Sequence, residues 1–277
     1  MANEPGVLLE DSLETKQAPH LETAIPVFAV GAEVGITQTI RIETLNEFKT
    51  HMGSFNASQT LHVAVRSFFD NGGAFCYLIA TSQWVSEIPK LKTVTLLVAA
   101  GQDILQPVSQ LCQPGACLFA LLDGPQGSLA DENLAHYPSA SHAAVYYPWL
   151  SAEWAGTAIP PSAVMAALYY KTDKERGVWS TPANIALQRD LSPLSSVTDE
   201  QQRQLLHINM IRNFRGRGTL VWGEEHWIKA RPSFGISLPV VLSILSNETF
   251  GQFSAHSCPS LTHLGHGRVY ARHSKII

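Results

Sequence analysis

Short apolar runs of strand length punctuate this chain, and helical patterns fill the gaps between them. Ile25-Pro26-Val27-Phe28-Ala29-Val30 is closed by Gly31, and Phe75-Cys76-Tyr77-Leu78-Ile79-Ala80 reads as a buried strand. Residues 94–99, 117–122 and 143–147 form similar runs bounded by polar or turn residues. Thr44-x-x-Glu47 is a capping box, followed by Leu45, Phe48 and Met52 at helical spacing until Gly53. Ser58 is placed to cap the next helix, which carries Leu61, Val65 and Phe68 on one face. Asn71-Gly72-Gly73 ends that helix, as a left-handed C-cap requires. Further helices are expected near residues 104–111 and 162–170, and Thr198-x-x-Gln201 opens a short one. Strands are expected at 208–212 and 219–222. Strands alternating with helices predict an α/β or mixed α+β sheet domain.

The size of the chain, 277 residues, suits one large domain or two modest ones. Charged residues make up only 15%, against roughly 25% in an average soluble domain. A charge-poor surface is one covered by something, most simply by copies of the same chain. The net charge of −4 and the lack of a basic stretch argue against nucleic acid as a partner. No run approaches the roughly 20 apolar residues of a spanning helix, so no membrane insertion is expected. The opening Met-Ala-Asn-Glu-Pro-Gly has neither the basic nor the apolar region of a secretion signal. Four cysteines, Cys76, Cys112, Cys117 and Cys258, are irregularly spaced and read as buried free thiols.

Local signatures of catalysis are missing. The chain has no Gly-x-Ser-x-Gly elbow and no phosphate-binding Gly-x-x-x-x-Gly-Lys-Ser/Thr loop. Asp123 closes an apolar run where α/β enzymes place catalytic carboxylates, but no partner residue is identifiable. Arg215-Gly216-Arg217-Gly218 could present cations and amides to an anion; a tight turn between two strands is the better reading. Cys258-x4-His263-x2-His266 lacks the second cysteine pair that zinc would want, and Glu224-Glu225-His226 reads as a solvated loop. Tyr147, Trp149, Trp179 and Trp222 are expected mostly in the core, and Trp154 as a core or interface anchor. No catalytic, cofactor or metal site is assigned.

Val7, Leu8 and Leu9 form a short apolar run cut off from the rest by the polar stretch from Ser12 to Glu22. Such a segment folds back on its own domain, or adds a strand to a neighbour's sheet edge, where backbone hydrogen bonds supply affinity.

Seven segments, in order, resemble the core of the contractile tail sheath family, which includes myophage sheaths, R-type pyocin sheaths and those of extracellular contractile injection systems. Pro5-Gly6-Val7-Leu8-Leu9-Glu10 is similar to the family's N-terminal arm. Phe68-Phe69-Asp70-Asn71-Gly72-Gly73, followed by Cys76-Tyr77-Leu78, resembles its helix–turn–strand element. Leu121-Leu122-Asp123-Gly124-Pro125 and Ala144-Val145-Tyr146-Tyr147-Pro148-Trp149-Leu150 resemble the next two core strands. Pro160-Pro161-Ser162 leads into Asp173-Lys174-Glu175-Arg176-Gly177-Val178-Trp179 and then Pro182-Ala183-Asn184, the most specific stretch. Leu191-Ser192-Pro193-Leu194 precedes Asn209-x-Ile211-Arg212-x-Phe214-x-Gly216-x-Gly218 and Val221-Trp222-Gly223, which resemble the last shared block. The injection-system and pyocin branches are the nearest in character.

The resemblance implies a core with a central mixed sheet flanked by helices and an extended N-terminal arm. It implies a non-enzymatic, self-assembling subunit without a cofactor, stacked in rings around an inner tube and adjoining baseplate and cap proteins. Assembly is expected in the bacterial cytoplasm and action in a released extracellular particle. Val7, Leu8, Leu9 and Glu10 would form the exchanged strand. Asn71, Gly72, Gly73, Asp173, Gly177, Val178, Trp179, Arg212, Gly216, Gly218 and Trp222 would form the motif core. The chain divides into an arm and linker at 1–22, a sheath core at 23–227 and an atypical tail at 228–277. That tail lacks the family's closing domain, through either an altered reading frame near residue 227 or a divergent paralogue. A cap- or baseplate-adjacent subunit, or a defective one, is the alternative role, and a hydrolase using Asp123 a remote one.

Overall fold

The computed structural model describes residues 23–113, 115–129, 137, 142–178, 180–188, 190–205 and 208–222. The chain runs through β1 (Pro26–Val30), β2 (Ile40–Ile42), α1 (Leu45–Met52), α2 (Thr60–Asp70), β3 (Cys76–Ala80) and α3 (Trp84–Glu87). It continues through β4 (Leu96–Val98), α4 (Leu105–Leu111), β5 (Phe119–Asp123), β6 (Ala143–Tyr147), β7 (Leu150–Ser151) and α5 (Pro161–Arg176). The last elements are β8 (Ser192–Pro193), α6 (Asp199–Gln204), β9 (Ile208–Phe214) and β10 (Gly218–Trp222).

Eight strands make one sheet in the order β10-β9-β6-β5-β4-β1-β3-β2, and β7 pairs with β8 apart from it. From β3 through β1, β4, β5 and β6 to β9 the neighbours are parallel; β2 and β10 pair antiparallel at the edges. This is a mixed sheet, as the alternation of elements predicts.

Residue alternation sorts the core into two layers. Phe28 and Val30 of β1 join Leu96, Val98, Phe119, Leu121, Ala144 and Tyr146 on one face, beneath α1, α2 and α5. Val27 and Ala29 join Leu97, Ala120, Leu122, Val145 and Tyr147 on the other, with Trp84, Ile88 and the α4 residues Val108 and Leu111. Helices cover both faces, which is why the central strands are apolar without interruption instead of alternating with polar residues. The same packing surrounds the first half of α5, where every residue from Pro161 to Tyr169 is buried.

Helix ends follow local chemistry, with one correction. Thr44 accepts the Glu47 backbone N–H at 3.2 Å, and the Glu47 carboxylate reaches back to the Glu43 N–H at 2.7 Å. Thr198 and Gln201 form the full reciprocal box at the start of α6. Ser58 does not cap α2; its own N–H is held by the Asn56 side chain at 3.0 Å, and Gln59 takes the N-cap position without a side-chain bond. Gly73 N–H bonds the Phe68 carbonyl at 3.0 Å across Gly72, whose φ is +97°, closing α2 in the expected left-handed turn.

Two further expectations need correction. Trp222 lies half-buried on the edge strand β10, its ring 5.1 Å from that of Phe214, so it is not core. Tyr147 and Trp149 are buried as expected, Trp154 is half-buried, and Trp179 lies outside the described residues. Cys76 and Cys112 are buried free thiols, with burial raising both above the ordinary thiol range, Cys112 to about 12. Cys117 is half-buried.

Candidate functional site

Asp123 sits at the carboxyl end of β5, the place where open α/β sheets hold catalytic groups. Here its bonds are internal. The carboxylate accepts the Ser162 N–H at 2.7 Å, the Ser162 hydroxyl at 2.9 Å and the Gly101 N–H at 2.8 Å. The Ser162 hydroxyl in turn accepts the Ala100 N–H at 2.9 Å. Pro160 and Pro161 open α5 without any side-chain cap of their own, so Asp123 satisfies the exposed helix amide from across the sheet. The carboxyl is 8% exposed, and burial pushes its pKa up to about 6 against the pull of these donors. Both polar side chains are committed to joining β4, β5 and α5.

The motif residues fall into two groups. Asn71 is buried at the end of α2, donating to the Ser67 carbonyl at 2.7 Å and accepting the Gln188 N–H at 3.0 Å. Gln188 donates its side-chain amide to the Asp70 carbonyl at 2.7 Å, so the end of α2 and residues 186–188 lie bonded side by side along an open groove. The charged last turns of α5, with Lys171 and Lys174, complete it. Asp173 is buried on that helix, Gly177 ends it at φ +88°, and Val178 follows half-buried.

The second group is the β9–β10 hairpin. Arg217 N–H bonds the Phe214 carbonyl at 3.0 Å, with Gly216 at φ +79° in the position that a type II turn reserves for glycine. Gly218 follows at φ +81°. This confirms the turn reading of Arg215-Gly216-Arg217-Gly218. Arg212 leaves β9 to meet Asp199 at 2.6 Å and Gln202 at 3.0 Å, fastening α6 to the sheet.

Residues 184–188 join the groups, a link that the Pro182-Ala183-Asn184 motif does not by itself announce. Asn184, at φ +59°, gives its N–H to the Val221 carbonyl, and Leu187 gives its own to Thr219 at 2.9 Å. Ala186 bridges Leu220. The strap thus covers part of the outer edge of β10 and then turns to Asn71. Asn184 is the residue that could have revealed it, because asparagine tolerates the left-handed region better than most side chains.

Val7, Leu8, Leu9 and Glu10 lie outside the described residues, as do Cys258, His263, His266 and Glu224-Glu225-His226. Among the described residues no group of three or more His, Cys, Asp or Glu could hold a metal, and no helix is long and apolar enough to cross a membrane.

No family model and no curated protein matches the chain. Solved structures do. A subunit of the sheath complex of PVC, an extracellular contractile injection system, in its contracted state is 42% identical, covering 83% of this chain and 70% of that one at a TM-score of 0.72. This chain belongs to the contractile injection system sheath family. A second member, from the anti-feeding prophage baseplate in its contracted state, is 31% identical over 87% of this chain and 72% of that one, with a TM-score of 0.68. The sheath tail protein of Desulfitobacterium hafniense is 9% identical, covers 78% of this chain and 74% of that one, and shares the fold at a TM-score of 0.52. As a sheath-family member the chain is akin to structural proteins, in keeping with the structural use of Asp123 and Ser162.

Proposed function

We propose that the chain is a structural subunit of a contractile sheath, which polymerises as stacked rings around an inner tube and contracts to drive it through a target envelope. The observation that carries this is the 42% identity over 83% of the chain to a subunit of a sheath complex. The free-energy gap between two packings of the same subunits supplies the work, with no nucleotide consumed at firing and no catalytic residue required. Residues 23–227 form the sheath core, 1–22 an arm and linker, and 228–277 a tail distinct from the core. Val7, Leu8, Leu9 and Glu10 pair with a neighbour's sheet edge, and residues 12–22 tether the arm while folded bodies rotate. Baseplate and cap proteins bound the polymer, which assembles in the bacterial cytoplasm and acts in a released particle. Co-sedimentation with the neighbouring tube protein tests the reading: high-molecular-weight complexes of both proteins support it, and a chain that stays in the supernatant with or without tube opposes it.

A second reading rests on the 31% match to a chain of the anti-feeding prophage baseplate. A subunit confined to the baseplate or cap region would be present in a few copies per particle. Quantitative mass spectrometry of purified particles separates the two, since a sheath subunit scales with tube length and a terminal ring does not.

A further inference from the structure

His62 lies in the first turn of α2, only 4% exposed and apart from the Asp123 site and the motif residues. Its Nδ1 accepts the Asn56 N–H at 3.2 Å, so the ring is the neutral tautomer protonated on Nε2. Phe48 of α1 meets it edge-on at 4.9 Å, and Phe55 lies 6.2 Å away. Asn56 is the pivot of the corner between α1 and α2. Its side chain holds the Ser58 N–H at 3.0 Å and its carbonyl holds the Gln59 N–H at 3.2 Å. The same corner reaches the 154–156 segment through the Gly156 N–H on the Ala57 carbonyl at 3.0 Å and through Phe55 against Trp154 at 6.2 Å.

The charges around this ring do not favour an imidazolium. Arg66, one turn along α2, lies 4.0 Å over Trp154 and 5.2 Å over Phe55, and pairs with Asp70 at 3.3 Å. On α1, Glu47, Lys49 and His51 are exposed, as is Glu153 beside the 154–156 segment. Asp190 is occupied by the Trp154 indole N–H at 2.6 Å. Among the described residues no ion pair involves His62. Burial lowers its pKa from the ordinary value.

We propose that His62 is a proton-operated latch: neutral, it pins the corner at Asn56, and protonated, it releases that corner and uncovers the Phe55–Trp154 face. Protonation turns Nδ1 into a second donor opposing the Asn56 N–H. It also puts a cation beside the ring that Arg66, four residues on, already stacks against. The open corner binds the proton at the usual histidine pH of about 6.5, whereas the pinned one resists it, so acid below that value shifts the population toward opening.

Hydrogen-exchange mass spectrometry of the full chain at pH 7.5 and pH 5, corrected for intrinsic rates, tests the latch. In the wild type, protection of residues 53–59 should fall about tenfold in acid while β1 and β5 keep theirs. His62→Asn, which retains an acceptor but does not titrate, should show no such acid loss. Exchange at the histidine C2 position, read in the wild type alone, keeps the test independent of that variant's folding. A His62 midpoint below the ordinary histidine value supports the latch. A midpoint at or above it, or the same acid loss in His62→Asn, overturns it.

Discussion

The carboxylate of Asp123 accepts both the backbone N–H of Ser162, at 2.7 Å, and its hydroxyl, at 2.9 Å. Two residues placed where a hydrolase would keep its machinery are thereby spent on joining a strand end to a helix start. The arrangement satisfies the Ser162 amide, which two consecutive prolines leave without a local cap, and the Gly101 N–H after β4 is its third donor.

Replacing Asp123 with Asn puts an NH2 against either the Gly101 or the Ser162 backbone N–H, leaving one buried donor orphaned. The expected loss is about 1–3 kcal/mol. The pH dependence runs the other way from a surface carboxylate. Since the folded pKa of about 6 lies above the unfolded value near 3.8, the native state holds the proton more tightly between those values. The wild type therefore gains stability from this group as pH falls from 7 to 4, by roughly 2 kcal/mol, and the gain disappears in Asp123→Asn. Urea melts of both proteins at pH 7.5 and pH 5 check this; a larger deficit for the variant at pH 7.5 than at pH 5 would oppose it.

Gly73 is fixed by packing. A Cβ at this position would overlap the Phe68 ring, whereas one at Gly127 meets nothing within 4 Å. Gly73→Ala should destabilise the fold by about 1–3 kcal/mol, and Gly127→Ala by no more than about 0.5 kcal/mol. Thermal melts of the two variants provide the comparison.

Arg212 fastens α6 through an exposed aspartate, so its removal should be felt locally. Arg212→Ala is expected to cost about 0.5 kcal/mol overall and to raise amide exchange in residues 199–204. Unchanged exchange there would mean that packing alone holds α6.

The arm carries the assembly prediction. Val7→Pro or Leu9→Pro removes a donor from the proposed strand ladder, so the subunit should fold normally yet fail to polymerise. Circular dichroism with sedimentation separates these outcomes; normal polymerisation of either variant removes the arm from the account.

The central sheet was legible because its strands are buried on both faces. Continuous runs such as 25–30 and 75–80 need no alternation to be recognised. β2 escaped because it is three residues long, with a graded burial from half-buried Ile40 to buried Ile42 and Arg41 exposed between them. The apolar pattern of α5 stops at Tyr170, six residues before its end at Arg176, because the helix surfaces at Lys171. Ser58 matches a cap in residue type alone, because the Asn56 side chain two residues earlier holds its amide. The Asp123 site was half visible: the aspartate stood out, but its partner Ser162 is brought to it by folding across 39 residues.

Negative-stain electron microscopy of the chain, expressed alone and with its neighbouring tube protein, tests the sheath assignment most directly. Helical cylinders or stacked rings enclosing the tube are the predicted result. A folded, strictly monomeric chain under both conditions would contradict the account.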